Sequence, residues 1–410
     1  MAGPHAAPAR PALLFLTQRL PYPPIKGEKI RPLQILKYLA RRFDVHLGCL
    51  IDDPADWEHV ETVRGFCAGM HVAALDRRVA KLLCLRGLLT GAALSVTFFA
   101  DRGLRRWVRA TMARVRPEVV FVNSSNMAPY VLGLERSGRL IVDLADVDSE
   151  KWRAYAAAAR GPMRLVYRRE WRRVAALERA IAAAADIASF VSEPEAALFR
   201  TLVPAHAAKV LGVTSGVDHA YFDPAIAHAP VYDTARANFV FTGTMDYPPN
   251  IDAVRWFATE MLPAIRARLP EAAFHIVGAN PAAEVQRLAR LPGVSVTGRV
   301  PDVRPYVQHA TAAVAPMRIA RGIQNKVLEA MAMARPVIVT PDGLEGIEAQ
   351  PGTEVILARD AAEFATACLT LAADPARGMA IGAAARAHVL AHADWPARLA
   401  AFDRALNPAG

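Results

Sequence analysis

Short apolar runs recur along the chain, and most are followed by a segment whose apolar residues fall three and four positions apart. In the first part the runs are ALLFLT (12–17), DVHLGCLI (44–51), EVVFVN (118–123), RLIVDLAD (139–146) and DIASFVS (186–192). PLQILKYLARRF, between the first two, has helical spacing. The pattern restarts after SGVDHAYFDP (215–224) with NFVFTGT (238–244), AFHIVGA (273–279), VSVTG (294–298), AAVAPM (312–317), PVIVT (336–340) and EVILAR (354–359). NIDAVRWFATEMLPAIRARL, AAEVQRLARL and DVRPYVQHA supply helices between them. Brief apolar strands alternating with helices predict parallel sheets covered on both faces, hence an α/β chain of two doubly wound domains. The expected boundaries are 1–210 for the first domain, 211–235 for a linker and 236–390 for the second. A last helix over 391–410 is expected to pack back on the first domain. Ligands of such sheets bind outside the carboxyl ends of the strands, so two facing sheets predict a site in the cleft between them.

Composition narrows the classes. With 53% hydrophobic and 21% charged residues the chain is not a disordered one. A net charge of +10 predicts attraction to anions without specifying which. The four cysteines include no C-x-x-C pair, so they read as reduced residues rather than metal ligands, and no metal or cofactor is expected. LLFLT is too short for the apolar core of a signal peptide. KLLCLRGLLTGAALSVTFF (81–99) has the length of a membrane span, but Arg86, two glycines, Ser95 and Thr97 interrupt it. An amphipathic helix at a protein or membrane surface fits better, and a cytoplasmic location follows. No G-x-G-x-x-G follows a strand and no G-x-x-x-x-G-K-[ST] is present, which argues against a dehydrogenase and a P-loop NTPase. No helix-turn-helix or zinc-finger spacing supports nucleic acid as a partner.

The densest chemistry lies in RGIQNKVLEAMAMARPVIV (321–339). Gly322 permits a tight backbone path, and Asn325 is the expected N-cap of the helix that follows. Free amides at a helix start form an anion site, to which Arg321 and Lys326 would add full positive charge. Glu329, about one turn on, is a pure acceptor suited to a vicinal diol such as ribose. Phosphate followed by ribose is the order along a sugar nucleotide. The competing reading is a surface helix in which Lys326 and Glu329 form an i,i+3 pair.

GIQNKVLEAMAMARPVIVT, preceded by VSVTGRVPDVRPYVQHATAAVAPMR, resembles the donor site of GT-B retaining glycosyltransferases of family 4. FTGTMDYPPNIDAVRWF and VDLADVDSEKWRAYA more narrowly resemble a bacterial subgroup associated with exopolysaccharide and exosortase (PEP-CTERM) loci. The resemblance implies two Rossmann-like domains, the second holding a nucleoside-diphosphate sugar and the first the acceptor. It also implies transfer with retention, without a metal. By position, Glu329 matches the second glutamate of the E-x₇-E motif, which binds ribose. Gly322, Ile323, Gln324 and Asn325 match the turn that cradles the sugar and diphosphate, and Gly27 matches the glycine of the first loop near the phosphates. Gly243 and Asn250 fall in the donor-side segment. Two departures stand out. Arg321 takes the place of the motif's first glutamate, and Thr244, Met245 and Asp246 follow Gly243 where an Arg/Lys pair often stands. Arg321 and Lys326 are therefore expected to supply the missing positive charge.

On the acceptor side, Asp146 and Asp148 are expected at the carboxyl end of a buried strand, with Asp146 orienting an acceptor hydroxyl and Arg31, Asp148, Lys151 and Trp152 around it. The bland alternative is an Asx-type turn capping the next helix. DVD also admits a rival, the metal-binding D-x-D of a GT-A transferase. A catalytically weak sugar-nucleotide-binding subunit is a further alternative. In RGPMRLVYRREWRRVAALERAI (160–181), Arg164, Arg168 and Arg172 recur every four residues on one helix face, and Trp171, Val174, Leu177 and Ile181 form another. The arginine face is either solvated or placed against an anionic bilayer presenting a lipid-linked or growing saccharide acceptor. His46, His275 and His309, in or beside apolar segments, read as structural.

Overall fold

A computed structural model describes residues 10–24, 27–319 and 323–406. The chain divides into two units, one of residues 1–214 with 399–410, the other of residues 215–398. In the first unit the strands are β1 (Ala12–Leu16), β2 (Asp44–Ile51), β3 (Gly69–Ala74), β4 (Val119–Asn123), β5 (Arg139–Ala145), β6 (Ile187–Phe190) and β7 (Val210–Gly212). They pair in parallel in the order 3-2-1-4-5-6-7. The second unit contains β8 (Asn238–Thr242), β9 (Ala273–Val277), β10 (Val294–Gly298), β11 (Ala312–Ala315), β12 (Val337–Val339) and β13 (Ile356–Leu357). Its order is 10-9-8-11-12-13, also parallel.

Central strands such as β4 and β8 are buried at every position, because helices cover both faces and leave no polar side to alternate with. Phe15, Phe121 and Phe190 fill the first core; Phe239, Phe257 and Phe274 fill the second. Both sheets are doubly wound, and each reverses direction once: between β1 and β4 in the first, between β8 and β11 in the second.

Three expectations need correction. β3 and β7 are absent from the apolar pattern; both are edge strands, one half-buried and one three residues long. The linker expected over 211–235 is not a separate segment, since β7 already takes residues 210–212 and residues 215–235 belong to the second unit. Instead of one terminal helix, short turns run over Trp395–Leu399 and Asp403–Leu406, interrupted by a 3₁₀ turn. Phe402 there is buried edge-on against Phe121, and Asp403 accepts hydrogen bonds from Tyr38 and Arg42. These contacts account for residues 399–406 counting with the first unit.

The stretch 81–99 is two helices, Arg77–Thr90 and Leu94–Phe98, broken at Gly91, whose φ of +76° suits glycine. Among the described residues no helix is long and apolar enough to cross a membrane. His275 is buried and stacked on Tyr232, and it bonds Ser295 and Asn238; burial pushes its pKa down to about 4, so it stays neutral. That is a packing role, as is that of His309, which donates to the His228 carbonyl.

Candidate functional site

The reversal of strand order in the second sheet gathers most of the expected donor-side residues. After β8 the chain turns at Gly243 and enters the helix Pro248–Trp256; after β11 it reaches the helix Asn325–Ala332. The first turn is tight. A Cβ on Gly278 would stand 1.7 Å from the Gly243 carbonyl oxygen, and the Gly243 amide donates to Val277 O at 3.0 Å.

Asn250 connects the two sides of this switch point. It is 5% exposed, its side-chain amide donates to the Thr244 carbonyl at 2.9 Å, and its Oδ1 accepts from Lys326 Nζ at 3.2 Å. The Lys326 ammonium also donates to Gln324 Oε1 at 3.0 Å and lies 5.0 Å from the Phe241 ring centroid. Burial pulls the Lys326 pKa down to about 8, with the Glu329 charge opposing. Burial pushes the Glu329 carboxyl up to about 7, with Lys326 opposing. The two do not form the close i,i+3 ion pair of the bland reading; the lysine donates to neutral acceptors, and the Glu329 charge acts on it from beyond contact distance. Desolvated cations of this kind are available to a phosphate.

Asn325 is the first helical residue rather than the cap. Gln324 holds the N-cap position without a side-chain cap bond, and its carbonyl accepts from the Val327 amide at 2.9 Å. Ile323 is partly buried beside Gly346. Arg321 and Gly322 lie outside the described residues. Nearby Arg318 is engaged with Asp252 and stacks over Trp256.

In the first unit two non-glycine residues with positive φ stand where β4 and β5 end, Ser124 at +82° and Ala145 at +69°. Such backbone strain persists only where surrounding contacts enforce it. Here the enforcing groups are carboxylates: Glu195 accepts from the Val147 amide, Glu178 from the Ser149 amide, and Asp148 from Ser125 Oγ. The turn presents Asp146 to solvent. Restricted hydration of its carboxyl, then the charges of Glu195 and Asp148, push its pKa up to about 6; Lys151 and Arg31 oppose. Lys151 is exposed. Trp152 packs with Tyr155 and Tyr167 at 5.7 and 5.8 Å, a contact that joins two helices. Gly27 opens the helix Gly27–Leu39 after β1.

Arg31, expected on the acceptor side, makes hydrogen bonds within its own unit. It is buried, its guanidinium forks onto Asp143 with two bonds of 2.8 Å, and a third bond of 2.8 Å reaches the Val213 carbonyl. Asn123 and Ser189 complete the shell of Asp143. The arginine thereby ties β4, β5, β6 and the end of β7 to the first helix, which is a structural task.

Glu178 and Glu195 were not singled out from sequence. Ser192 and Glu195 have the spacing of a capping box, which would turn the glutamate back on its own helix. The carboxylate instead reaches Val147, 48 residues away. Among the described residues no three His, Cys, Asp or Glu side chains form a metal-holding group.

Comparison with known proteins bears on the fold. Residues 236–374 match the family model described as Glycosyl transferases group 1. Sucrose-phosphate synthase from Thermosynechococcus elongatus is 20% identical, with a TM-score of 0.69 over 98% of this chain and 100% of that one. HepE from Anabaena, in complex with UDP-glucose, is 14% identical, with a TM-score of 0.65 over 97% and 99%. WaaG, a glycosyltransferase involved in lipopolysaccharide biosynthesis, is 15% identical, with a TM-score of 0.64 over 95% and 99%. No match was found among the curated proteins. The fold is that of the GT-B glycosyltransferases: two α/β units, each with a parallel Rossmann-like sheet. This fold removes the GT-A alternative built on Asp146 and Asp148.

Proposed function

We propose that this chain is a retaining glycosyltransferase that uses a nucleoside-diphosphate sugar as donor, without a metal, in bacterial exopolysaccharide synthesis. The observation that carries the reading is the Asn250–Lys326 link across the switch point of the second sheet, at the start of the helix that carries Glu329 one turn further on. The family match over 236–374 and the UDP-glucose held by HepE support it.

In this reading the diphosphate sits at the start of Asn325–Ala332, beside Lys326 and near Gly243, and Glu329 accepts from the ribose hydroxyls. Arg321, Gly322 and Ile323 complete the cradle. Glycosyl transfer passes through an oxocarbenium-like state with negative charge growing on the leaving phosphate. Fixed donors aimed at that charge lower the barrier by about 2.7–4 kcal/mol each. The acceptor hydroxyl, oriented by Asp146, gives its proton to the departing phosphate oxygen, so no protein nucleophile is needed. The acceptor is a lipid-linked or growing saccharide at the cytoplasmic face of the membrane.

The test is a panel of UDP- and GDP-sugars with saccharide acceptors in excess chelator, the product's anomeric configuration being read by NMR. Consumption of one donor with retained configuration is expected. Inversion, or activity that needs added metal, would overturn the mechanism; no consumption of any donor would return the chain to a binding subunit.

A further inference from the structure

The net positive charge has a local focus that the donor site does not use. An open groove of about 560 Å³ lies along the helix Pro162–Ala184, and the described residues lining it are Leu165, Arg168, Arg169, Arg172 and Arg173. Arg169 donates through Nη2 to the Gly87 and Ala92 carbonyls, near and after the end of Arg77–Thr90. Its Nη1 is buried without a hydrogen-bond partner, 3.9 Å from Glu170. The Arg173 guanidinium lies 3.5 Å from where a Cβ on Gly91 would stand.

Three of these cations lack counter-charge. Glu170 is the acidic residue at hand, but it is buried and its oxygens accept from the Leu94 and Ser95 amides and from Ser95 Oγ. Among the described residues Arg168, Arg172 and Arg173 have no carboxylate partner, while 168/172 and 169/173 are like-charged pairs one turn apart, which oppose helix formation. A cluster that repels itself around a groove is completed by an anion, and guanidinium forks match phosphate oxygens two at a time.

The rim states which kind of anion. Leu165, one turn before Arg169, is 69% exposed, and Met163 is 48% exposed. Aliphatic side chains beside a basic groove suit an interface where headgroups meet acyl chains. A free phosphate needs no such rim, and the groove's described lining has no aromatic platform for single-stranded nucleic acid.

We propose that this groove binds the phosphate headgroup of an anionic membrane lipid, with Arg168, Arg172 and Arg173 holding the phosphate and Leu165 entering the acyl boundary. The site deepens the membrane side of the proposed function and rests on that reading only for its biological purpose.

The test uses the full chain without nucleotide, so its outcome is separable from that of the donor assays. Flotation is measured with phosphatidylcholine vesicles carrying phosphatidic acid or, at matched surface charge, phosphatidylglycerol. Stronger binding to phosphatidic acid is expected. The triple variant R168K/R172K/R173K, which keeps the charge, should fall to the phosphatidylglycerol level. The triple R168Q/R172Q/R173Q should lose about a hundredfold, since each arginine near an anionic surface contributes roughly a fivefold attraction, and Leu165→Ser should weaken binding to both vesicles. Equal binding of wild type to the two lipids would reduce the groove to diffuse electrostatics and overturn the proposal. So would glutamine variants, folded by circular dichroism, that float like wild type.

Discussion

Lys326→Met is expected to lower donor turnover by about 10²–10³-fold, the cost of losing one preorganised group at a developing oxyanion, while leaving the fold intact. The fold should hold because the ammonium is buried among Asn250, Gln324 and the Phe241 ring, and a methionine occupies similar volume without a desolvated charge. Wild-type protein should show a bell-shaped pH dependence of kcat/KM, which reports the ionisations of the free enzyme. Below about 7 Glu329 gains a proton and ceases to be a pure acceptor for the ribose; above about 8 Lys326 loses its proton and its charge. Activity therefore falls on both sides of a maximum between those values. In Lys326→Met the residual activity should keep the acid limb and lose the alkaline one, measured as initial rates across pH. An unchanged alkaline limb would assign that ionisation to another group.

Asp143→Ala should destabilise the protein by about 3–5 kcal/mol, the usual cost of stranding one member of a buried ion pair. Asp143 is fully buried, and four hydrogen bonds converge on it from Arg31, Asn123 and Ser189. Its removal takes from the buried Arg31 guanidinium the carboxylate it forks onto and strands the Asn123 and Ser189 donors. Urea denaturation should show a large fall in the first transition, and the double replacement R31M/D143L should recover most of it, because an apolar pair of similar volume removes the stranded charge. Failure of the double variant to recover would mean that the pair also fixes backbone geometry at the ends of β4 and β5.

How much of this was legible depended on distance along the chain. Central strands announce themselves because covering both faces leaves continuous apolar runs, whereas β3 and β7, at the sheet edges, carry too little burial to mark. The candidate donor segment stood out because Gln324, Lys326 and Glu329 are neighbours on one helix start. Its partner Asn250 was singled out, but its bond to Lys326 spans 76 residues and no local pattern encodes it. Arg31 was assigned to the acceptor because its carboxylate lies 112 residues away. Asn325 looked like a cap by residue type, yet the backbone turned helical at that residue and passed the cap position to Gln324. The arginine face followed from four-residue spacing; the groove beside it needed the turn at Gly91, which periodicity does not place.

The central claim is that a pyrophosphate is gripped at the strand-order reversal of the second sheet. Hydrogen exchange of the intact protein, with and without a saturating nucleoside diphosphate, tests it directly. Slowed exchange in peptides covering residues 243–246 and 323–329, with the turn at 145–149 unchanged, is the predicted result; protection that misses both donor-side segments would contradict the account.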